Sequence, residues 1–70
     1  MSGHMEITLN GQTKNIPGNA SLQALAEQYT KEPTRVVAEL DGAIITRDAW
    51  SRTILKAGSK VELVSFVGGG

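Results

Sequence analysis

VVAELDGAII, residues 36–45, is the segment from which the architecture of this chain can be inferred most directly. Its first half, Val36 to Leu40, is rich in β-branched and aliphatic residues and favours a central β-strand. Asp41-Gly42 suits the positive φ angles of a two-residue hairpin turn, and Ala43 to Ile45 then return as a partner strand. The segment therefore predicts a β-hairpin.

A second hairpin lies near the start of the chain. Glu6 to Leu9 alternate polar and apolar residues, which is the period of a half-buried strand. Asn10-Gly11 is another hairpin-turn pair, and residues 12–16 form a more polar return strand. Pro17-Gly18 ends this strand, because proline is rarely tolerated inside a sheet.

The segment between the two hairpins has the period of a helix. Apolar residues recur at i, i+3, i+4 and i+7, and they are Leu22, Leu25, Ala26 and Tyr29. Ser21 is the expected N-cap residue, because its hydroxyl can accept a hydrogen bond from an amide of the first turn. Pro33 cannot continue a helix, so we place the helix end near Thr30.

The remaining elements complete the predicted topology. Residues 46–50 have no strand period and predict a short helical turn, and a polar turn at 56–60 leads into a last strand at 61–67. The order strand, strand, helix, strand, strand, strand predicts an α+β fold of the β-grasp (ubiquitin-like) type. It has a mixed sheet with one helix across one face, and the last strand lies parallel to the first in the middle of the sheet.

The last strand predicts an outward apolar patch. If Val61 and Leu63 face the helix, alternation places Val64 and Phe66 on the open face of the sheet. Exposed apolar residues on a small domain often mark a partner site. The alternative is that Phe66 folds over the sheet edge and closes a thin core.

The composition excludes several kinds of function. The chain has 70 residues, no cysteine and a formal net charge of zero, with seven basic and seven acidic side chains. Disulfides and thiol catalysis are therefore excluded, and a general affinity for nucleic acid is not expected. No apolar run is long enough to span a membrane.

The start of the chain is expected to be foreign to the domain. Residues 1–4 resemble an expression scar ahead of a native start at Met5, and they hold the one histidine, His4. Without cysteine or a native histidine, the chain is poorly equipped for independent catalysis. We expect a β-grasp domain at 5–67, a flexible glycine tail at 68–70 and no metal site.

The three terminal glycines, Gly68, Gly69 and Gly70, carry the strongest functional signal in the sequence. A tail without Cβ atoms is thin enough to enter a narrow channel and deliver its carboxylate to another protein's active site. The alternative is a frayed end with no role.

Residues 5–70 resemble the bacterial sulfur carrier proteins of thiamine biosynthesis, the ThiS family, which are relatives of the molybdopterin synthase small subunit and of ubiquitin. The motifs that carry the resemblance are Ile7-x-Leu9-Asn10-Gly11, Ser21-Leu22-x-x-Leu25, Leu40-Asp41-Gly42-x-Ile44-Ile45-x-Arg47-x-x-Trp50, Leu55-Lys56-x-Gly58-x-x-Val61-Glu62 and Val67-Gly68-Gly69-Gly70. Asp41 and Thr46 depart from the usual asparagine and proline of the third motif.

The resemblance implies a cosubstrate role and no enzymatic activity. In the family, an E1-like adenylating enzyme uses ATP and Mg to adenylate the C-terminal carboxylate, here that of Gly70. Sulfur from a cysteine desulfurase persulfide then gives a thiocarboxylate, which supplies thiazole synthase. Gly69 gives clearance and Gly68 adds reach. The resemblance also implies a cytoplasmic protein that binds no cofactor of its own.

Two alternatives to this role stay open. One is a sulfur carrier for molybdopterin or another metabolite, and the other is a ubiquitin-like interaction or conjugation module whose tail forms isopeptides. Arg47 is a candidate partner-binding residue, although a local ion pair with Asp48 or Glu39 is the favoured explanation. We expect Trp50 to lie in the core.

Overall fold

The computed structural model of the chain describes residues 3–65, in which one α-helix crosses one face of a five-stranded sheet. The strands and the helix are β1 (His4–Leu9), β2 (Gln12–Pro17), α1 (Leu22–Tyr29), β3 (Val36–Leu40), β4 (Ala43–Ile45) and β5 (Lys60–Ser65). Two 3₁₀ segments, Pro33–Arg35 and Arg47–Arg52, flank the second hairpin. Within the described residues, no helix has the length and hydropathy needed to cross a membrane.

The sheet has the predicted mixed topology. The strand order is β2-β1-β5-β3-β4, and β5 lies parallel to β1 and antiparallel to β3. A parallel pair needs a long crossover connection, which the chain from β2 to β4 supplies. The α+β, β-grasp prediction is therefore confirmed, and β5 occupies the centre of the sheet.

Both hairpin turns form where the sequence predicts them. Asn10 and Asp41 have φ angles of 50° and 51°, and the glycines that follow them, Gly11 and Gly42, have φ angles of 82° and 89°. Positive φ at both central residues is the type I′ turn, whose twist matches that of the flanking strands. Asparagine and aspartate tolerate this conformation better than other side chains with a Cβ atom.

The helix begins and ends as expected. The Ser21 hydroxyl accepts a hydrogen bond from the Ala24 amide at 3.1 Å, which makes Ser21 the N-cap residue. Leu22, Leu25 and Ala26 are buried against the sheet. Tyr29, in the last turn, lies outside this buried face, and its ring faces the Lys14 ammonium with 5.4 Å between Nζ and the ring centroid.

The core lies between the helix and one face of the sheet. Its buried apolar residues are Ile7, Leu9, Ile16, Leu22, Leu25, Ala26, Val36, Ala38, Trp50, Leu55 and Val61. Trp50 is only 1% exposed, and its indole Nε1 donates to the Ile45 carbonyl at 2.9 Å, which confirms its place in the core. Because α1 covers one face only, the opposite face of the sheet is left open.

The start of the sheet lies earlier in the chain than the sequence suggested. β1 begins at His4, which pairs with Pro17, and the Gly3 carbonyl accepts from the Gly18 amide at 2.6 Å. Gly3 and His4, which were expected to belong to an expression scar, therefore contribute backbone pairing to the first hairpin. The segment Pro33–Arg35, not predicted from the sequence, is a 3₁₀ turn with proline at a helix start, where its missing N–H costs nothing.

Candidate functional site

The predicted site residues fall into two groups. Val64 and Arg47 lie within residues 3–65, whereas Phe66 and the glycines Gly68, Gly69 and Gly70 lie outside the described residues. The described residues end at Ser65, the last residue of the central strand β5 and the one before Phe66. The candidate site is therefore described as the open face of the sheet and the strand that leads to the tail.

Val64 faces outward, as predicted from the alternation of β5. Its side chain is 52% exposed, whereas Val61 on the opposite face is fully buried. Val64 lies directly opposite Val37 of β3, so the two valines form a cross-strand pair on the open face. Val37 is 36% exposed.

A third apolar side chain, Ile44 of the edge strand β4, extends this surface. It lies opposite Glu39 on β3 and shares the open face with it, and it is 66% exposed. We call Val37, Ile44 and Val64 the outer patch. Val37 and Ile44 were not predicted from the sequence, although alternation along β3, as along β5, indicates that Val37 faces outward.

Two carboxylates lie beside the outer patch on the open face. Glu39 of β3 and Glu62 of β5 are directly opposite each other. They lie two positions along each strand from the Val37–Val64 pair, on the same face of the sheet. Within residues 3–65, neither glutamate is in an ion pair. Like charges facing each other across a strand pair are unfavourable, so this surface is both apolar and electronegative.

Arg47 stacks on the core tryptophan. Its guanidinium Cζ lies 5.3 Å from the centroid of the Trp50 ring, within the range of a cation–π contact. In the part of the chain that the structure describes, Arg47 makes no ion pair with Asp48 or Glu39, so that interpretation of Arg47 is wrong. The stacking is a reason for the Arg-x-x-Trp spacing that the sequence analysis did not foresee, because one 3₁₀ turn brings residue i over residue i+3.

The neighbouring Asp48 has a depressed pKa. The Thr46 hydroxyl donates to its carboxylate, the backbone amide of Asp48 adds a second hydrogen bond, and the charge of Arg52 contributes least. All three favour the ionised form. The Asp48 carboxylate is thus ionised at neutral pH and hydrogen-bonded within its own 3₁₀ segment and to Thr46 just before it. Across residues 3–65, no group of three or more histidine, aspartate or glutamate side chains is arranged to hold a metal ion.

The topology and the open face together define a β-grasp, ubiquitin-like domain, a class of small proteins built around one helix and a mixed sheet. The chain belongs to the ThiS family, whose model matches residues 7–70. The match includes all three terminal glycines and every strand of the sheet.

Solved structures support the same assignment. The chain is similar to the crystal structure of the thiamine biosynthesis protein (ThiS) from Geobacter metallireducens, with a TM-score of 0.81 and 29% identity over 94% of this chain and 100% of that one. It is also similar to the solution structure of a thiamine biosynthesis protein from the same organism, with a TM-score of 0.72 and 30% identity over 94% of this chain and 88% of that one.

Two longer curated relatives carry the name thiazole synthase. They are from Magnetococcus marinus, at 30% identity over 66 residues, and from Paramagnetospirillum magneticum, at 26% identity over 66 residues. The aligned region covers 94% of this chain but 20% of each relative. The chain therefore spans about one fifth of the length of these proteins.

Proposed function

We propose that this chain is a sulfur carrier protein of thiamine biosynthesis and that Gly70 carries the sulfur. The observation that supports this most strongly is the family match, which runs from β1 through the terminal glycines. The central strand β5 leads directly toward those glycines. A terminal carboxylate on a thin segment is a group that a partner enzyme can activate.

The proposed chemistry has three steps. A carboxylate oxygen of Gly70 attacks the α-phosphorus of ATP, pyrophosphate leaves, and an acyl-adenylate forms. The terminal sulfur of a persulfide then attacks the acyl carbon and AMP leaves. A thiol cleaves the resulting S–S bond, so that Gly70 ends in a thiocarboxylate. A carboxylate resists nucleophiles until its oxygen becomes a good leaving group, and for that reason adenylation comes first.

The partners in this proposal carry the catalytic groups. An E1-like adenylating enzyme supplies ATP and Mg, and a cysteine desulfurase supplies the persulfide. This chain is accordingly a cosubstrate and not an enzyme. All of these reactants are available in the cytoplasm, where we place the cycle.

Thiazole synthase is the proposed sulfur acceptor. The two relatives of that name each contain a region similar to nearly all of this chain. A carrier and an acceptor in one polypeptide are held at high effective concentration, which favours transfer between them. That arrangement supports the same pairing of carrier and acceptor for this chain.

The outer patch is the proposed docking surface for the adenylating enzyme. Val37, Ile44 and Val64 form an exposed apolar surface on the sheet that leads to the tail. A partner that covers this surface gains from burying apolar area while it receives the tail. Phe66 and Arg47 remain proposed contacts of the same partner.

Intact mass spectrometry tests the proposal. We expect incubation with the adenylating enzyme, Mg-ATP and a persulfide donor to replace one oxygen of Gly70 with sulfur, and a chain shortened by Gly70 to stay unmodified. An unchanged mass, with the enzyme active on a known carrier, would contradict the proposal. An isopeptide adduct on a lysine would instead support the conjugation alternative, and transfer of the sulfur to a precursor other than that of thiazole would support a different carrier pathway.

A further inference from the structure

The strand that leads to the tail is held at both ends by side chains from the two hairpin turns. At its start, Asp41 Oδ1 accepts from the Lys60 amide at 2.9 Å. Near its other end, Asn10 Oδ1 accepts from the Leu63 amide at 2.8 Å, and Asn10 Nδ2 donates to the Leu63 carbonyl at 3.3 Å. Asn10 and Asp41 occupy the same turn position in their hairpins, each with φ near 50°.

The Asn10 side chain takes the place of a missing strand residue. The backbone pairing between β1 and β5 ends where the Asn10 amide donates to the Val61 carbonyl at 2.9 Å. A primary amide offers one acceptor and a donor in nearly the arrangement of a peptide group. The Asn10 side chain therefore continues the edge of β1 for one further step along β5, as far as Leu63.

Among residues 3–65, this contact is the last hydrogen bond made to β5 on the β1 side. On the other side, β3 pairs with β5 as far as Val36 and Ser65. From Glu62 to Ser65, the hydrogen bonds to β5 among residues 3–65 come from β3 on one flank and from the Asn10 side chain on the other. The two bonds together thus hold the backbone of Leu63, two residues before the end of the described strand.

We propose that Asn10 is a positioning residue for the chemistry at Gly70. This inference rests on the proposed sulfur-carrier function. Five residues follow Ser65, the last of them Gly70, and fully extended they reach at most about 18 Å. A tail stretched in a partner's channel has little slack, so a displacement at its base is passed to its end. Reactions between aligned groups are sensitive to such displacements, and 1 Å can cost about 100-fold in rate.

The test compares Asn10→Gly with Asp41→Gly in the full chain. Glycine keeps the positive φ angle that both turns need, so each variant preserves its turn and removes only the side-chain contact with β5. Asp41 is the matched control, because its contact lies at the start of β5 and far from the tail. Urea unfolding establishes that both variants fold and how much stability each loses.

Two readouts separate positioning from stability. We expect Asn10→Gly to lower the kcat of ATP–pyrophosphate exchange by about tenfold, with KM for the carrier little changed because the outer patch is intact. Asp41→Gly should leave kcat at the wild-type value. In amide hydrogen exchange, Asn10→Gly should speed the exchange of the Leu63 amide, and Asp41→Gly that of the Lys60 amide.

The outcomes distinguish this inference from the function on which it rests. Equal kcat for Asn10→Gly and the wild type, or the same loss in both variants, would overturn the positioning role and leave the carrier function standing. A wild-type chain that the active enzyme does not adenylate would overturn both. Unchanged exchange at Leu63 in Asn10→Gly would overturn the structural basis of the inference, whatever the activity.

Discussion

Trp50 is a large, fully buried side chain in the core of this small domain. Its ring is buried, the 3₁₀ segment that carries it contacts α1, and its one polar side-chain atom donates to the Ile45 carbonyl. Tyrosine and tryptophan are stable in a core when their polar group finds a partner. A domain of this length buries a limited fraction of its surface, so a single large side chain carries a large share of the stability.

Replacing Trp50 by phenylalanine should destabilise the domain clearly. The change leaves the Ile45 carbonyl without its donor and opens a cavity beside the core, and we expect a loss of about 2–3 kcal/mol in the free energy of unfolding. Trp50 is the one tryptophan in the sequence, so the variant has no tryptophan fluorescence. Urea unfolding of both proteins is therefore followed by circular dichroism. A loss below about 0.5 kcal/mol would contradict this expectation, since it would show that the Ile45 carbonyl finds another partner, such as water, in the variant.

Arg47 contributes to stability through the face of Trp50. We expect Arg47→Gln to lower the free energy of unfolding by about 0.5–1 kcal/mol, the range for an exposed cation–π contact. Arg35→Gln is the control, because it removes an exposed ion pair with Glu32 of the kind that contributes little. Equal stability of Arg47→Gln and the wild type would mean that the stacking contributes nothing, and would strengthen the proposed role in partner binding.

At the scale of elements, the central pair of strands carries an unfavourable charge arrangement. Glu39 and Glu62 face each other across β3 and β5 on the open side of the sheet. Directly opposed like charges destabilise a strand pair by a fraction of a kcal/mol up to about 1 kcal/mol. The free energy of unfolding of the domain is therefore lower than it would be with a neutral pair of side chains at positions 39 and 62.

Glu39→Gln should stabilise the domain. We expect the free energy of unfolding to rise by about 0.2–1 kcal/mol at low salt and by less at high salt, where the repulsion is screened. Glu62→Gln should give a similar gain, and the double variant less than the sum of the two, because one substitution already removes the repulsion. Strict additivity in this double-mutant cycle would show that the two carboxylates do not interact.

At the scale of the whole molecule, the fold divides its surface into a covered and an open face. The helix covers the face that holds Trp50 and the buried strand residues, and the outer patch occupies the other. Because β5 is central, its last residue, Ser65, lies next to Val64 of the patch and away from both edges of the sheet. A partner on the open face can therefore contact the body of the domain and the tail together.

Val64→Asp should weaken the reaction with the adenylating enzyme through KM. Because the variant places a charge in an apolar contact that the partner covers, we expect KM to rise more than tenfold, which corresponds to more than about 1.4 kcal/mol. We expect kcat at saturation to stay near the wild-type value. Ile54→Asp is the matched control, since Ile54 is 53% exposed, close to the 52% of Val64, and lies outside the sheet's strands. An equal rise in KM for both variants, or none for Val64→Asp, would exclude the outer patch as the docking surface.

Much of the fold follows from short-range preferences. Asn10-Gly11 and Asp41-Gly42 predict their turns because few other pairs accept positive φ at both positions. Ser21 and Pro33 mark the limits of the helix for equally local reasons. Tyr29 follows the helical period of the buried face but lies at the end of α1, where the sheet no longer covers it.

The candidate site was predicted less completely. Alternation placed Val64 on the open face correctly, but Ile44 joins the outer patch through the register of β4 against β3. Nothing in the order of residues 43–45 tells which of two adjacent isoleucines points outward. The ion pair expected for Arg47 did not form, because the 3₁₀ turn at 47–52 directs the guanidinium onto Trp50.

The amino-acid order thus established the elements, the two type I′ turns and, through the sequence of elements, the central place of the last strand. These features depend on backbone conformations that each residue type favours or forbids within a few positions. The hydrogen bonds between Asn10 and Leu63 span 53 positions of the chain, and the outer patch joins three strands. Such contacts follow from strand register and packing, which form only when the whole sheet is assembled.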